Sequence, residues 1–144
     1  MGLFGVSLNL KSDDDMAMDD KVRPTDIRLH QQSRILEIFF DDGEHFRLPC
    51  EYLRVYSPSA EVRGHGPGQE VLQVGKENVN ITAIEPIGNY AVRLVFDDGH
   101  NSGLYSWSVL YRLGANYTDL WQEYLARLEK AGYTRQESSA VGSN

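Results

Sequence analysis

Few residues of this chain combine the type and the spacing that catalysis or metal binding requires. The most informative is His100, which directly follows the tetrapeptide FDDG of residues 96–99. The same tetrapeptide occurs at residues 40–43, where a glutamate follows it. Paired aspartates can bind a divalent cation, but Asp-Gly is also a common tight turn between strands, and turn formation accounts for both copies. The chemical question is therefore what the histidine of the second copy does.

The other reactive side chains form no recognisable catalytic or metal-binding pattern. None of the four histidines lies at the helical or strand spacing of a metal-ligand pair. The single cysteine, Cys50, excludes an internal disulfide and a cysteine-built zinc or iron–sulfur centre within one chain. It follows Pro49 in a predicted short helix, where a thiol pKa can be lowered, although a lone cysteine is more often a small buried side chain. This inventory predicts no catalytic residue, no cofactor and a protein that is not an enzyme.

Charge and apolar content exclude several classes of partner. The net charge is −7, from 21 acidic and 14 basic side chains, so a nucleic acid backbone would be repelled. No apolar run approaches the ~18 residues that a membrane span needs. We therefore expect a cytoplasmic protein that binds neither nucleic acid nor membrane.

Composition divides the chain into one domain and two flanks. Residues 1–22 include the acidic stretch KSDDDMAMDDK and are predicted to be a disordered extension. Residues 134–144 are mostly small and polar and are predicted to be a disordered tail. Residues 23–133 remain for a single folded domain of common size.

Alternating apolar residues predict strands on both sides of each FDDG turn. The predicted strands are residues 25–30 as an edge strand, 34–40, 44–48, 81–87 and 90–96. The spacing from Phe40 to Leu48 is repeated from Phe96 to Leu104, with an offset of 56 residues between the copies. A duplicated strand–turn–strand unit and chance explain this repetition equally well.

Helices are predicted after each hairpin and at the end of the domain. The two short ones cover residues 49–54 and 106–113, the second with Ser106 as its N-cap. The longest covers residues 118–131 and ends at Gly132. Together the elements predict an α+β fold of two layers: a mainly antiparallel, hairpin-built sheet with short helices and one C-terminal helix packed on it.

Two blocks of sequence resemble a known family. They are LPCEYLRVYSPSAEVRG at residues 48–64 and FDDGHNSGLYSWSVL at residues 96–110. Together they resemble the family of the N-terminal domain of gamma-butyrobetaine hydroxylase, which also occurs as a stand-alone bacterial domain of unknown function. The resemblance covers residues 24–132. It implies an accessory domain without the hydroxylase chemistry, which belongs to a separate jelly-roll domain.

In the hydroxylases this domain looks like a zinc-binding module, with three cysteines after a Leu-Arg pair and one histidine from the later hairpin. Residues 53–54 match the Leu-Arg pair, the cysteine positions fall on Ser57, Ser59 and Val62, and the histidine position falls on His100. Neutral hydroxyls bind zinc weakly and valine offers no donor atom. We therefore predict that the zinc site is lost and that His100 forms hydrogen bonds near the serine segment instead.

The resemblance implies a non-catalytic binding or adaptor domain whose partner is another protein. Similar domains are fused to a P-loop ATPase of the iron–sulfur carrier class, which implies a role in cluster assembly or delivery. Exposed aromatic side chains beside an arginine are typical anchors for such contacts. The candidate binding surface is Arg54, Tyr56, His100, Tyr105 and Trp107. For the last two residues, ordinary core packing is the alternative interpretation.

A second hypothesis, from a different functional class, remains open. It is a small-molecule-binding protein or an enzyme that uses a cleft around His100 together with Cys50, Ser57 or an aspartate. No spacing of a catalytic triad and no phosphate-binding loop supports it.

Overall fold

The computed structural model of the chain describes residues 3–6, as backbone alone, and residues 22–64 and 66–136. The elements in these ranges are β1 (Leu3–Val6), β2 (Pro24–His30), β3 (Ile35–Phe40), β4 (His45–Pro49), α1 (Cys50–Val55), α2 (Ala60–Arg63), β5 (Ile81–Ile87), β6 (Ala91–Phe96), β7 (Leu104–Ser106), α3 (Trp107–Ala115) and α4 (Tyr117–Lys130). None of the helices described is long and apolar enough to cross a membrane.

The strands form two antiparallel sheets, with strand orders β1-β2-β3-β4 and β5-β6-β7. Each sheet is a sequence of neighbouring hairpins, and helices α1 and α3 follow directly on its last strand. Helix α4 packs Tyr124 and Leu128 against Val55 at the end of α1. The predicted α+β class, built from hairpins, short helices and a C-terminal helix, is confirmed.

Local signals in the sequence placed the ends of several elements correctly. The hydroxyl of Ser106 accepts a hydrogen bond from the Val109 amide at 3.2 Å, as expected of an N-cap. After α4, Gly132 has a positive φ of 79°, a conformation that glycine adopts without strain. Helix α2 was not predicted, because its four residues are too few for a periodic pattern.

The flanks of the domain differ in part from the expectation. Leu3–Val6 lies in the extension expected to be disordered, yet it pairs with β2, so β2 is not an edge strand. The acidic residues 7–21 and the final residues 137–144 lie outside the described residues. The first residues of the expected tail are tied to the domain, since Arg135 forms an ion pair with Glu51.

The two FDDG turns have the same hydrogen bonds, so the repeated sequence forms a repeated local structure. In each turn the first aspartate accepts a hydrogen bond from a backbone amide next to the start of β2 or β5, the strand paired with the one that leads into the turn. Arg23 donates to Asp41 at 3.2 Å, and Asn80 donates to Asp97 at 3.0 Å. The phenylalanine amide donates to the residue after the glycine, at 2.8 and 2.9 Å. The glycines have φ values of 93° and 90°.

The first half of the domain is the β1–β4 sheet with α1, and the second half is the β5–β7 sheet with α3. The second aspartate of each turn binds the helix of the other half. Arg54, at the end of α1, donates its Nε to Asp98 of the second turn at 2.9 Å. Tyr111 of α3 donates its hydroxyl to Asp42 of the first turn at 2.7 Å. Arg54 and Tyr111 are 57 residues apart and Asp42 and Asp98 are 56 apart, so the two contacts are equivalent. Each repeat therefore positions the turn of the other repeat.

Two glycines allow the halves to approach each other closely. A Cβ atom on Gly114 of α3 would lie 2.4 Å from the Phe46 ring, and one on Gly103 would lie 2.4 Å from the Ser57 hydroxyl. Gly114 follows Ser57 by 57 residues, whereas Gly103 lies one residue past Ser102, which corresponds to Phe46 at the hairpin offset of 56. The interface between the halves thus needs glycine on one side of each contact.

Large aromatic side chains fill the core between the halves. Tyr52 and Tyr105 are fully buried and Trp107 is 1% exposed. Their polar atoms bind backbone carbonyls: Tyr52 donates to Leu113 at 2.7 Å and Tyr105 donates to Leu53 at 2.6 Å. These bonds satisfy groups that would be costly to bury without a partner.

We predict that Gly114→Ala destabilises the protein. Alanine in a helix interior is worth about 1 kcal/mol over glycine, but overpacking a core costs about 1–3 kcal/mol, and the new Cβ would overlap the Phe46 ring. The expected net loss is up to about 2 kcal/mol, measured by urea unfolding. In a Phe46→Leu background the same substitution should cost less, by about 1 kcal/mol. Equal costs in both backgrounds would contradict this packing argument.

Candidate functional site

His100 links the two sequence blocks through both nitrogens of its ring. Its Nε2 lies 2.9 Å from the Ser57 Oγ, and its Nδ1 lies 2.9 Å from the Glu61 Oε1. A carboxylate only accepts hydrogen bonds, so Nδ1 carries a proton and donates it to Glu61. In the neutral ring Nε2 is then the acceptor, and the Ser57 hydroxyl donates to it. The predicted hydrogen bond between His100 and the serine segment is confirmed.

Several groups determine the protonation of this histidine. His100 is 5% exposed, and burial lowers its pKa below the ordinary value of 6.5. The positive charge of Arg54 acts in the same direction, while Glu61 and Asp98 oppose it. The imidazole is therefore neutral at neutral pH, which is the state that accepts the proton of Ser57.

The turn that carries His100 is held by an ion pair between the buried Arg54 and the more exposed Asp98. Arg54 is 7% exposed, and Asp98 accepts hydrogen bonds from both Arg54 at 2.9 Å and Lys76 at 2.7 Å. Burial works against the charged carboxyl, but Lys76, the His100 amide and Arg54 together lower the pKa of Asp98 to about 2. The second FDDG copy therefore holds His100 in place through a contact with the Leu-Arg motif.

The positions that correspond to zinc-binding cysteines do not fit a metal. The Ser59 hydroxyl lies 2.7 Å from the Ser102 hydroxyl and also accepts the Glu61 amide at 3.2 Å, which caps α2. Val62 is 5% exposed and belongs to the buried apolar residues. Hydroxyl pairs and an apolar side chain therefore fill this region. Among the residues described, no group of three or more His, Cys, Asp or Glu side chains is placed to hold a metal ion.

Ser57, His100 and Glu61 have the order of a serine–histidine–acid triad, but the serine is enclosed. Ser57 is 1% exposed, and its Oγ also accepts the Ser59 amide at 3.2 Å. Gly103 packs so closely against this oxygen that even a methyl group there would overlap it. A carbonyl substrate needs space beside the nucleophile and donors for its oxygen. The arrangement is therefore suited to joining two segments and not to acyl transfer.

The proposed binding surface is largely buried. Tyr105 and Trp107 are core residues, so the core-packing alternative is correct for both, and Arg54 and His100 are buried as well. Their aromatic and charged groups are occupied by internal partners and cannot form an exposed contact patch. Tyr56 is half-buried, and its hydroxyl donates to the Leu120 carbonyl at 2.8 Å.

Cys50 is separated from the histidine chemistry. It is fully buried, and burial raises the pKa of its thiol to about 12. Its Sγ lies 3.8 Å from Asn80, which is not a catalytic base. The thiolate that nucleophilic attack or metal binding requires is thus strongly disfavoured at neutral pH.

A groove that the sequence did not reveal lies beside Ser57. Its volume is about 310 Å³, and helices α1, α2, α3 and α4 contribute to its walls. The lining includes apolar side chains, two glutamates and three arginines, Arg63, Arg112 and Arg127. Arg63 and Arg112 are exposed, and within the described chain neither forms an ion pair with a carboxylate. These residues come from separate helices, so no sequence spacing indicates that they are close.

We predict that His100 makes the protein less stable in acid. Its pKa is lowered on folding, so below the ordinary value of 6.5 the unfolded chain binds more protons and stability falls as pH decreases. Urea unfolding at about pH 7 and about pH 5 should show a larger loss for the wild type than for His100→Gln. His30 and His45 are present in both proteins and cancel in the comparison. Equal losses would show that His100 is not buried in its neutral form.

Comparisons with known proteins give a family and a fold. A family model described as Gamma-butyrobetaine hydroxylase-like, N-terminal, matches residues 27–111. An NMR solution structure shares 54% identity with this chain at a TM-score of 0.74, and the match covers 90% of this chain and 96% of that one. A second NMR structure shares 46% identity at a TM-score of 0.69, covering 85% and 96%. No curated protein matches the chain.

A crystal structure of a protein of unknown function from Acidithiobacillus ferrooxidans, which belongs to the DUF971 family, shares 40% identity at a TM-score of 0.55. That match covers 65% of this chain and 93% of the other. The family match spans more than half of the 144 residues. It includes both sequence blocks in full, residues 48–64 and 96–110. The chain therefore belongs to the family of domains that are like the N-terminal domain of gamma-butyrobetaine hydroxylase.

Proposed function

We propose that this chain is a non-catalytic domain that binds another protein through the groove between its helices. The observation that carries the proposal is the set of three arginines, Arg63, Arg112 and Arg127, around a groove of about 310 Å³ whose lining mixes apolar with charged side chains. The apolar side chains of the lining provide binding energy by burial, and its arginines select the charge of the partner.

The charge of the groove differs from that of the chain. The whole chain carries −7, whereas the groove lining has three arginines against Glu70 and Glu123. Arginine also binds carboxylates in a two-pronged geometry that lysine lacks. The partner segment that fits this groove therefore combines apolar side chains with aspartate or glutamate.

The reactive residues support a binding role over an enzymatic one. The Cys50 thiol is fully buried with a raised pKa, and the Ser57 hydroxyl is enclosed by Gly103. An enzyme that used Cys50 or Ser57 beside His100 would need that group to reach a substrate, and the nearby Asp98 is already paired with Arg54 and Lys76. The residues at positions 57, 59 and 62, two serines and a valine, likewise suit contacts between segments.

The proposal extends to the class of partner that the family resemblance implies. We propose an iron–sulfur carrier ATPase or another protein of cluster assembly as the partner, and the cytoplasm as the place where the two meet. The support is the resemblance itself together with a groove of suitable chemistry. The domain would act there as an adaptor and would not hold a cluster.

The experiment compares two charge reversals at matched positions. Arg112 lies in the last turn of α3 and lines the groove, while Lys130 lies in the last turn of α4 and does not line it. The tagged wild type, Arg112→Glu and Lys130→Glu proteins are used to capture partners from the native host under anaerobic conditions. Each protein identified by mass spectrometry is then purified, and its affinity for the three proteins is measured by calorimetry.

We expect Arg112→Glu to weaken the affinity for the true partner at least ~10-fold, while Lys130→Glu leaves it near the wild-type value. The affinity of the wild type should also fall as salt is raised, because screening weakens exposed charge pairs. A partner bound equally by all three proteins would place the interface elsewhere and overturn the groove proposal. A cluster-assembly protein among the groove-dependent partners would support the specific role, and its absence would remove it.

A further inference from the structure

A second binding feature lies on the other side of α4, where the chain after this helix folds back onto α1. Arg135 donates its Nε to Glu51 at 2.9 Å and its Nη2 to the other oxygen of the same carboxylate at 2.5 Å. The carbon at the centre of its guanidinium lies 5.4 Å from the centre of the Trp121 ring. A two-pronged carboxylate contact combined with stacking on an aromatic ring is the geometry that selects arginine over lysine.

The two residues that bind Arg135 lie in helices, whereas Arg135 itself does not. Glu51 lies in α1 and is 5% exposed, and Trp121 lies in α4. Arg135 belongs to the segment of residues 133–136, which is neither helix nor strand. Glu51 and Trp121 are therefore positioned by helices and not by the segment that carries Arg135.

Two buried carboxylates depend on this short segment. Glu77, which is 6% exposed, accepts the Tyr133 hydroxyl at 2.8 Å and the Gln136 amide at 2.7 Å. Burial opposes its charged form, but the Gln136 amide and other hydrogen bonds keep its pKa lowered. A buried charge without a partner is strongly destabilising. If the segment leaves, Glu51 needs another cation, so departure is coupled to the arrival of a guanidinium from elsewhere.

We propose that Glu51 and Trp121 form an arginine-binding site that Arg135 occupies in the free protein and that an arginine-bearing segment of a second polypeptide occupies by exchange. Arg135 is one-third exposed, so its guanidinium returns to water at little cost. Because Arg135 is part of the same chain, it competes with an incoming arginine at an effective concentration of the order of millimolar. The segment of residues 133–136 is then a built-in competitor that sets the affinity for the incoming arginine. This site is independent of the groove and of its proposed acidic partner.

The test uses the full chain and a probe taken from its own sequence. The probe is the pentapeptide GYTRQ, the sequence of residues 132–136, and its control is the same peptide with lysine in place of arginine. Both are titrated into the wild type and into Arg135→Ala, and the indole N–H signal of Trp121 is followed by NMR. Trp107, whose indole donates to Asn89 inside the domain at 2.8 Å, serves as an internal reference that should not move.

We expect saturable binding of the arginine peptide to Arg135→Ala, at least ~10-fold weaker binding of the lysine peptide, and at least ~10-fold weaker binding of the arginine peptide to the wild type. Adding Glu51→Gln to Arg135→Ala should abolish binding. If Arg135→Ala does not fold, Arg135→Lys replaces it, because an ammonium keeps Glu51 paired while giving up the two-pronged contact. No saturable shift of Trp121 in a folded variant, or equal binding of both peptides, would overturn the proposal. Equal binding of the arginine peptide by wild type and variant would overturn the role of Arg135 as competitor.

Discussion

The buried guanidinium of Arg54 is the constraint on which the arrangement of the site depends. A charged group that is 7% exposed needs an internal counter-charge, and removing one partner of such a pair costs on the order of 3–5 kcal/mol. Asp98 supplies that charge, and the Oε1 of Gln73 accepts a hydrogen bond from the Nη1 of Arg54 at 3.1 Å. Because Asp98 belongs to the turn before His100, satisfying Arg54 also determines where the histidine lies. The contact between Ser57 and His100 follows from the requirement to pair a charge in the other repeat.

The two halves make the same contact with different chemistry, and this difference explains why only one FDDG copy is followed by histidine. In the first half, Asp42 is exposed and its partner is the neutral hydroxyl of Tyr111. The residue after that turn, Glu44, is exposed. In the second half the equivalent residue, His100, is covered by the chain that continues from α1 into α2. A buried position beside Ser57 and Glu61 requires a side chain with both a donor and an acceptor, and neutral imidazole has both.

Sequence reasoning was reliable where the determinant is local. Strand alternation, the Asp-Gly turns and the Ser106 cap each depend on a few adjacent residues, and the structure has them at the predicted places. It was unreliable for exposure, because Tyr105 and Trp107 carry polar atoms that could face water. Their burial depends on the carbonyls of Leu53 and Asn89, which are 52 and 18 residues away. The hydrogen bond of His100 was predicted only because a family pattern marked which distant residues should meet.

Helix α4 joins the two surfaces on which the chain can still exchange partners. Arg127 turns toward the groove, and Trp121 supports the guanidinium of Arg135. Elsewhere in the site, Arg54, Asp98 and His100 bind partners inside the domain, so these groups are not available to bind another molecule. The groove offers cations to an acidic segment, whereas the Glu51 site offers a carboxylate to a basic one. A single partner could engage both only with charges of opposite sign on the two sides of α4, and the order of those charges would fix its direction along the helix.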